Sequence, residues 1–123
     1  MNNDTIVAIA TPSGEGGISS VRISGEDAFN IADKIFKSKS GELIKNKAGY
    51  TALYGEIYDG DTLLDDGIAL VFCAPKSYTG ENTVEISVHG GSYLIRRVLR
   101  CAVSAGARVA EGGEFTRRAF ENG

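Results

Sequence analysis

Only two long stretches of this chain repeat their apolar residues at helical spacing, and the remaining apolar residues fall in short β-prone runs. The first stretch places Ala28, Phe29, Ile31, Ala32, Ile35 and Phe36 along one face. Ser24 is a candidate cap, with Asp27 three residues on, so a helix is predicted to run to about Lys37. The second starts at Ser92 and repeats Leu94, Ile95, Val98, Leu99, Ala102 and Val103, leaving Arg96, Arg97 and Arg100 on the other face. It is predicted to end near Gly106. Whether Tyr93, Arg96 and Arg97 meet a partner or only water is open, with a solvated face favoured.

Around these helices the strands cluster. Thr5 to Ala10 (TIVAIA) and Ile18 to Ser24 (ISSVRIS) read as two strands joined by the glycine-rich TPSGEGG. Tyr50 to Tyr58 (YTALYGEIY) is β-prone, and the DGD at Asp59 to Asp61 is a turn leading into Thr62 to Leu64 and then Ile68 to Ala74. The unalternating IALVFCA predicts a central strand. Pro75 to Asn82 reads as a loop, Thr83 to His89 (TVEISVH) as an alternating strand, and Gly90-Gly91 as its end. A short strand at Arg108 to Ala110 and a helical start from Glu114 (EFTRRAF) close the chain. Ser38 to Ala48 shows no sustained period and is expected to be a surface connection, the most mobile part of the chain. Two strands, a helix, three strands and a helix favour an α+β fold over an alternating parallel sheet. The closing AFENG stops as a helix begins, with nothing beyond to bury Phe120, so the natural protein is expected to continue past Gly123.

At 123 residues the chain suits one domain, able to bury roughly two-thirds of its unfolded surface. Apolar residues at 42% and charged residues at 24% exclude a disordered or fibrous class. Thirteen Lys and Arg against sixteen Asp and Glu leave a net charge of -3, which makes the chain alone a poor nucleic-acid binder, since that attraction rests on neutralised phosphates. Cys73 and Cys101 each lie in an apolar stretch and are expected to act as small buried hydrophobes. Asn2, Asn3 and Asp4 stand where a signal peptide needs a basic start, and no apolar run approaches the ~20 residues that span a bilayer, so a cytoplasmic protein with no membrane association is expected.

Several motifs suggest chemistry and then fail a second requirement. Gly14-Glu15-Gly16-Gly17 lacks the Gly-Lys-Ser/Thr of a phosphate-binding P-loop, so a turn is favoured. His89-Gly90-Gly91 is like an oxyanion-hole segment, but no GxSxG elbow supplies a nucleophile. His89 is the sole histidine, and Cys73 and Cys101 lack the close pairing of zinc ligands, so no metal site and no catalytic residue are expected. Glu81 and Glu85 are too loosely spaced to be promoted as an acid/base pair. Glu85 nevertheless sits in apolar company (TVEIS), where a buried carboxylate must be paired or hydrogen-bonded, and Arg22 sits similarly between Val21 and Ile23. Either residue is a candidate for function, or the two are strand residues facing solvent or each other.

Three segments, DTIVAIATPSGEGGISSVRISG, YTGENTVEISVHGG and GGEFTRRAFENG, resemble in order the signature segments of the N-terminal domain of the MnmE (TrmE) family of tRNA-modification GTPases. The resemblance covers nearly the whole chain; positions 36–66 carry no signature. It implies an α+β, ββαβββα folate-binding half-unit like that of the glycine-cleavage T-protein, with helices packed against a mixed sheet, over residues 1–118, and the start of a helical domain over 119–123. It further implies a homodimer that exchanges the N-terminal strand, Thr5 to Ala10, and holds two sites for 5-formyl-tetrahydrofolate or another tetrahydrofolate. A pterin ring presents an N–H and an amino group side by side, which one carboxylate accepts together. Glu85 resembles the family's carboxylate, Arg22 falls at its arginine position and suits the anionic folate tail, and Tyr78 is placed to flank a ring. The family's third folate position is a lysine directly after the Asn-Gly that ends this sequence, so reduced affinity is expected.

The rest of the expected function also comes from the resemblance. GTP, magnesium and potassium would belong to the G domain of the parent protein, which works with the flavoprotein GidA (MnmG) on the wobble uridine of certain tRNAs. The folate would donate one carbon to the new substituent at uridine C5. The chain itself contains no GxxxxGK[ST] and is expected to hydrolyse nothing. One alternative is a structural dimerisation domain without folate binding. Another, a self-sufficient one-carbon transferase of the T-protein kind, needs roughly twice this length.

Overall fold

A computed structural model describes residues 4–11 and 17–123, with the backbone alone at Thr11. Most of the predicted glycine loop, 12–16, lies outside the described residues. The elements run β1 (Ile6–Thr11), β2 (Ser19–Ser24), α1 (Ala28–Ile35), β3 (Phe36–Ser38), a single 3-10 turn (Ile44–Asn46), β4 (Thr51–Asp59), β5 (Thr62–Phe72), β6 (Thr83–Val88), α2 (Ser92–Ser104), β7 (Arg108–Val109) and α3 (Glu114–Glu121). The strands form one sheet in the order β3-β4-β5-β6-β2-β1-β7. Among the described pairings only β1·β7 is parallel, so the fold is α+β with a mixed sheet, as expected.

Strand alternation assigns the two faces. Val7, Val21, Ile23, Ala69, Val71, Val84 and Ile86 point to one side and are fully buried under α1 and α2. From α1 come Ala28, Ile31, Ala32 and Ile35; from α2 come Ile95, Val98, Cys101 and Ala102, at the spacing that keeps a helix face on a core. Arg96 and Arg100 face solvent, and Arg97 turns back to Asp59 at 3.0 Å. Cys101 is buried as expected, whereas Cys73 is only half-buried, with its thiol directed at the Lys47 carbonyl.

Three local expectations are corrected. Ser24 ends β2 and caps nothing, because its hydroxyl is engaged with Thr79 and Glu81 at 2.7 and 2.8 Å. The start of α1 is served instead from β1's side, where Thr5 Oγ1 accepts the Asp27 N–H at 2.9 Å. Gly25 makes this approach possible: its φ is +144°, and a Cβ there would lie 2.6 Å from Thr5 Cα. Helix α1 ends at Ile35, two residues early, because Phe36–Ser38 pairs with Ile57–Gly55 of β4. Finally, Thr62–Leu64 and Ile68–Phe72 are one strand, β5, whose long hairpin with β4 absorbs the irregularity in a bulge at Ile57/Tyr58.

The 38–48 connection is less of a surface feature than its composition predicts. Ile44 is buried, and its N–H and that of Lys45 are both held by the Asp33 carboxylate. Strand β1 is paired on both sides within its own chain, to β2 and to β7. The exchange of this strand with a partner, implied by the family resemblance, is therefore not the arrangement of the single chain, in which both of its edges are already hydrogen-bonded.

Candidate functional site

The sheet face opposite α1 and α2 is built differently. In register across the strands it carries Ala8, Arg22, Glu85 and Leu70, with Ser24 and Thr83 above them in β2 and β6. Arg22 and Glu85 are direct cross-strand partners, so antiparallel pairing itself sets their side chains side by side. Arg22 Nε donates to Glu85 Oε2 at 2.7 Å, and the two side chains are 29% and 24% exposed. Of the two readings open from the sequence, facing water or facing each other, the second holds.

Two aromatic rings flank this pair. The Arg22 guanidinium carbon lies 5.9 Å from the ring centre of Tyr78, in the loop before β6, and 5.6 Å from that of Phe115, on α3. Tyr78 and α3 are tied together by a hydroxyl contact between Tyr78 and Thr116 at 3.2 Å. All three predicted site residues, Arg22, Glu85 and Tyr78, thus meet in one place. Phe115 and Thr116 join them and were not anticipated.

What holds α3 over this face is a buried charge network. Glu114 is 1% exposed and Arg118 3%. Arg118 donates to both oxygens of Glu81, to Asp4 and to Glu114, each at 3.2 Å. Arg108 reaches Glu114 Oε2 at 2.7 Å, and the Glu111 N–H reaches Glu114 Oε1 at 2.9 Å. With its lone pairs so occupied, the Glu114 carboxyl is pushed down to about 2, first by the Arg108 hydrogen bond and then, against the cost of burial, by the Glu111 N–H and the two guanidinium charges. Asp4 is likewise lowered to about 2, chiefly by Arg108.

The same network shapes the loop that carries Tyr78. Glu81 takes hydrogen bonds from Arg118 and Ser24 through its side chain and from Ser77 through its carbonyl. Thr79 is fully buried in a hydroxyl cluster with Ser24 and Thr83. At the other end of α3 the Asn122 amide donates to the Thr79 carbonyl at 2.9 Å. The signal for this clamp in the sequence is the Glu114–Arg118 spacing of four, a helical ion pair. Spacing cannot say that such a pair is buried.

His89 is not part of this site. It lies beyond the end of β6 with its side chain 71% exposed, its Nδ1 3.7 Å from Asp65, and its N–H on the same carboxylate at 2.8 Å. Among the described residues no group of three His, Cys, Asp or Glu is placed to hold a metal ion. No helix among them is long and apolar enough to cross a membrane.

Fold and site together define the class: a mixed-sheet α+β domain whose second face bears a half-buried ion pair against two aromatic rings, roofed by a charge-locked helix. The chain belongs to the family described as GTP-binding protein TrmE N-terminus, which matches residues 5–123. It is 51% identical over 124 residues to the tRNA modification GTPase MnmE of Symbiobacterium thermophilum, covering 100% of this chain and 27% of that protein. It is 50% identical over 119 residues to MnmE of Chlorobaculum tepidum, covering 96% and 25%. With MnmE of Bacteroides fragilis it shares 46% over 124 residues, covering 100% and 26%. The chain thus spans about a quarter of the length of these curated relatives.

Proposed function

We infer that this domain binds a tetrahydrofolate, 5-formyl-tetrahydrofolate in the first instance, and self-associates, within a GTPase that modifies the wobble uridine of tRNA. The observation that carries the reading is Glu85: a half-buried carboxylate, fixed by sheet register, beside an arginine and two aromatic rings. Its two oxygens suit the adjacent N–H and NH2 of a pterin, the rings suit a flat heterocycle, and Arg22 suits the anionic tail. Bound there, the folate supplies the one-carbon unit for the uridine substituent. The residues of this chain bind and orient it; GTP, magnesium, potassium, tRNA and the flavoprotein partner GidA (MnmG) engage the remainder of the protein.

Self-association is supported by the uncovered part of the same sheet face. Tyr54, Ile68 and Ile18 are 51%, 45% and 56% exposed around a small apolar cavity, and Tyr50 extends the patch. A contiguous apolar surface of this kind is a mark of association.

The deciding experiment is calorimetric titration of 5-formyl-tetrahydrofolate into the chain, with light scattering in the same buffer. Saturable binding at one site per chain is expected, falling at least about tenfold in Glu85→Gln, with a mass corresponding to a dimer. Binding that is indifferent to Glu85→Gln excludes this site. A dimer without any binding favours a purely structural dimerisation domain.

A further inference from the structure

On the reading that Glu85 holds the pterin, Arg22 has a second part to play. Its guanidinium is a flat group with N–H donors side by side, and so is the amino-pyrimidinone edge of a pterin. It already donates to Glu85, at 2.7 Å, and already lies against Tyr78 and Phe115. The neighbours of the pair along the sheet row are Ala8 and Leu70, which offer neither residue another charged partner there. Glu85 has two oxygens and serves one such fork well.

We propose that Arg22 is an internal competitor for the folate site: its guanidinium occupies the carboxylate and ring surfaces that the pterin edge takes, and binding requires Arg22 to leave Glu85. A displaced Arg22 keeps its β2 position beside the site, where an anionic group on the same ligand gives it a new partner. A folate with its glutamate tail therefore compensates for the ion pair it breaks, and a pterin without the tail does not. The competitor thus makes the site selective for tailed folates over free pterins, using one residue on either side of the exchange. The pair is partly exposed, so breaking it has a moderate cost, small enough for a ligand to meet and large enough to discriminate.

The test compares two ligands, 5-formyl-tetrahydrofolate and 6-methyl-tetrahydropterin, which lacks the benzoyl-glutamate tail, on the wild-type chain and on Arg22→Ala and Arg22→Lys, by calorimetry. Arg22→Ala is expected to bind the tail-less pterin about tenfold more tightly than wild type and 5-formyl-tetrahydrofolate less tightly. Arg22→Lys, which keeps the charge but not the flat fork, is expected to fall between, and carries the test if the alanine variant fails to fold. Tail-less pterin binding that is unchanged or weakened in the variants, with wild-type folate binding still dependent on Glu85, overturns the competitor and leaves the folate site standing. Absence of folate binding to the wild-type chain overturns the folate site itself, and the competitor with it.

Discussion

The roof of the site depends on one side chain, Arg118, which never touches the predicted ligand. Its guanidinium makes four charge-assisted contacts, two to Glu81 and one each to Asp4 and Glu114, while only 4% of the side chain remains exposed. Arg118→Ala leaves Glu114, 1% exposed, with Arg108 as its main remaining cationic partner, and leaves Glu81 with the Ser24 hydroxyl. Removing one member of a buried ion network typically costs about 3–5 kcal/mol, because the abandoned charges stay desolvated. Against a typical total of about 5–15 kcal/mol, that is a large fraction of the stability of the domain. Urea unfolding followed by circular dichroism is the assay: the midpoint should fall strongly, or a separate early transition should report release of α3. Arg118→Lys should lie between, since one ammonium cannot reach all four oxygens. Because α3 carries Phe115 and Thr116, folate affinity should fall in Arg118→Ala although Glu85 and Arg22 are intact. A loss below about 1 kcal/mol would show that the network is no more than a surface ion pair and would refute the clamp.

Two further outcomes follow from the same structure. Acid should loosen the domain in a defined direction: Glu114 and Asp4 have carboxyls lowered to about 2, so their stabilisation is fully present above the ordinary carboxylate range and is lost as pH falls through that range toward 2. Thermal melts from pH 6 to pH 2 check this, and a flat profile contradicts it. Gly67→Ala should destabilise by about 1–3 kcal/mol, because a Cβ there collides with the Ser87 carbonyl and sits 2.8 Å from Ile57 Cδ1. A melting temperature lowered by less than about 2 °C in that variant would mean that β5 and β6 can separate locally to accommodate the methyl group.

Much of the fold was legible because short-range patterns and core burial agree. The apolar spacing on α2 became its buried face, and the alternation of TVEISV became a strand with one face in the core. The misplaced boundaries share a cause. Ser24 looks like a cap by type, and Phe36 continues the helical period, yet each obeys a distant partner: Ser24 the Thr79–Glu81 loop, Phe36 the edge of β4. Asp65 and Asp66 interrupt an apolar run without ending its strand, since one holds the His89 N–H and the other meets the Tyr54 hydroxyl.

The sequence by itself determined the class of domain, its helices, most of its strands, and the residue types of the site, because periodicity and the cost of placing charges among apolar neighbours act locally. It also marked Arg22, Glu85 and Tyr78 individually, through apolar neighbours and family resemblance. That Arg22 and Glu85 face each other was decided by the register of β2 against β6, sixty-three positions apart in the chain. That Phe115 completes the site, and that Glu114 and Arg118 are buried instead of solvated, was decided by the docking of α3 on the sheet. Register and docking are sums of many weak contacts between distant segments, and a pattern of neighbours along the chain does not contain them.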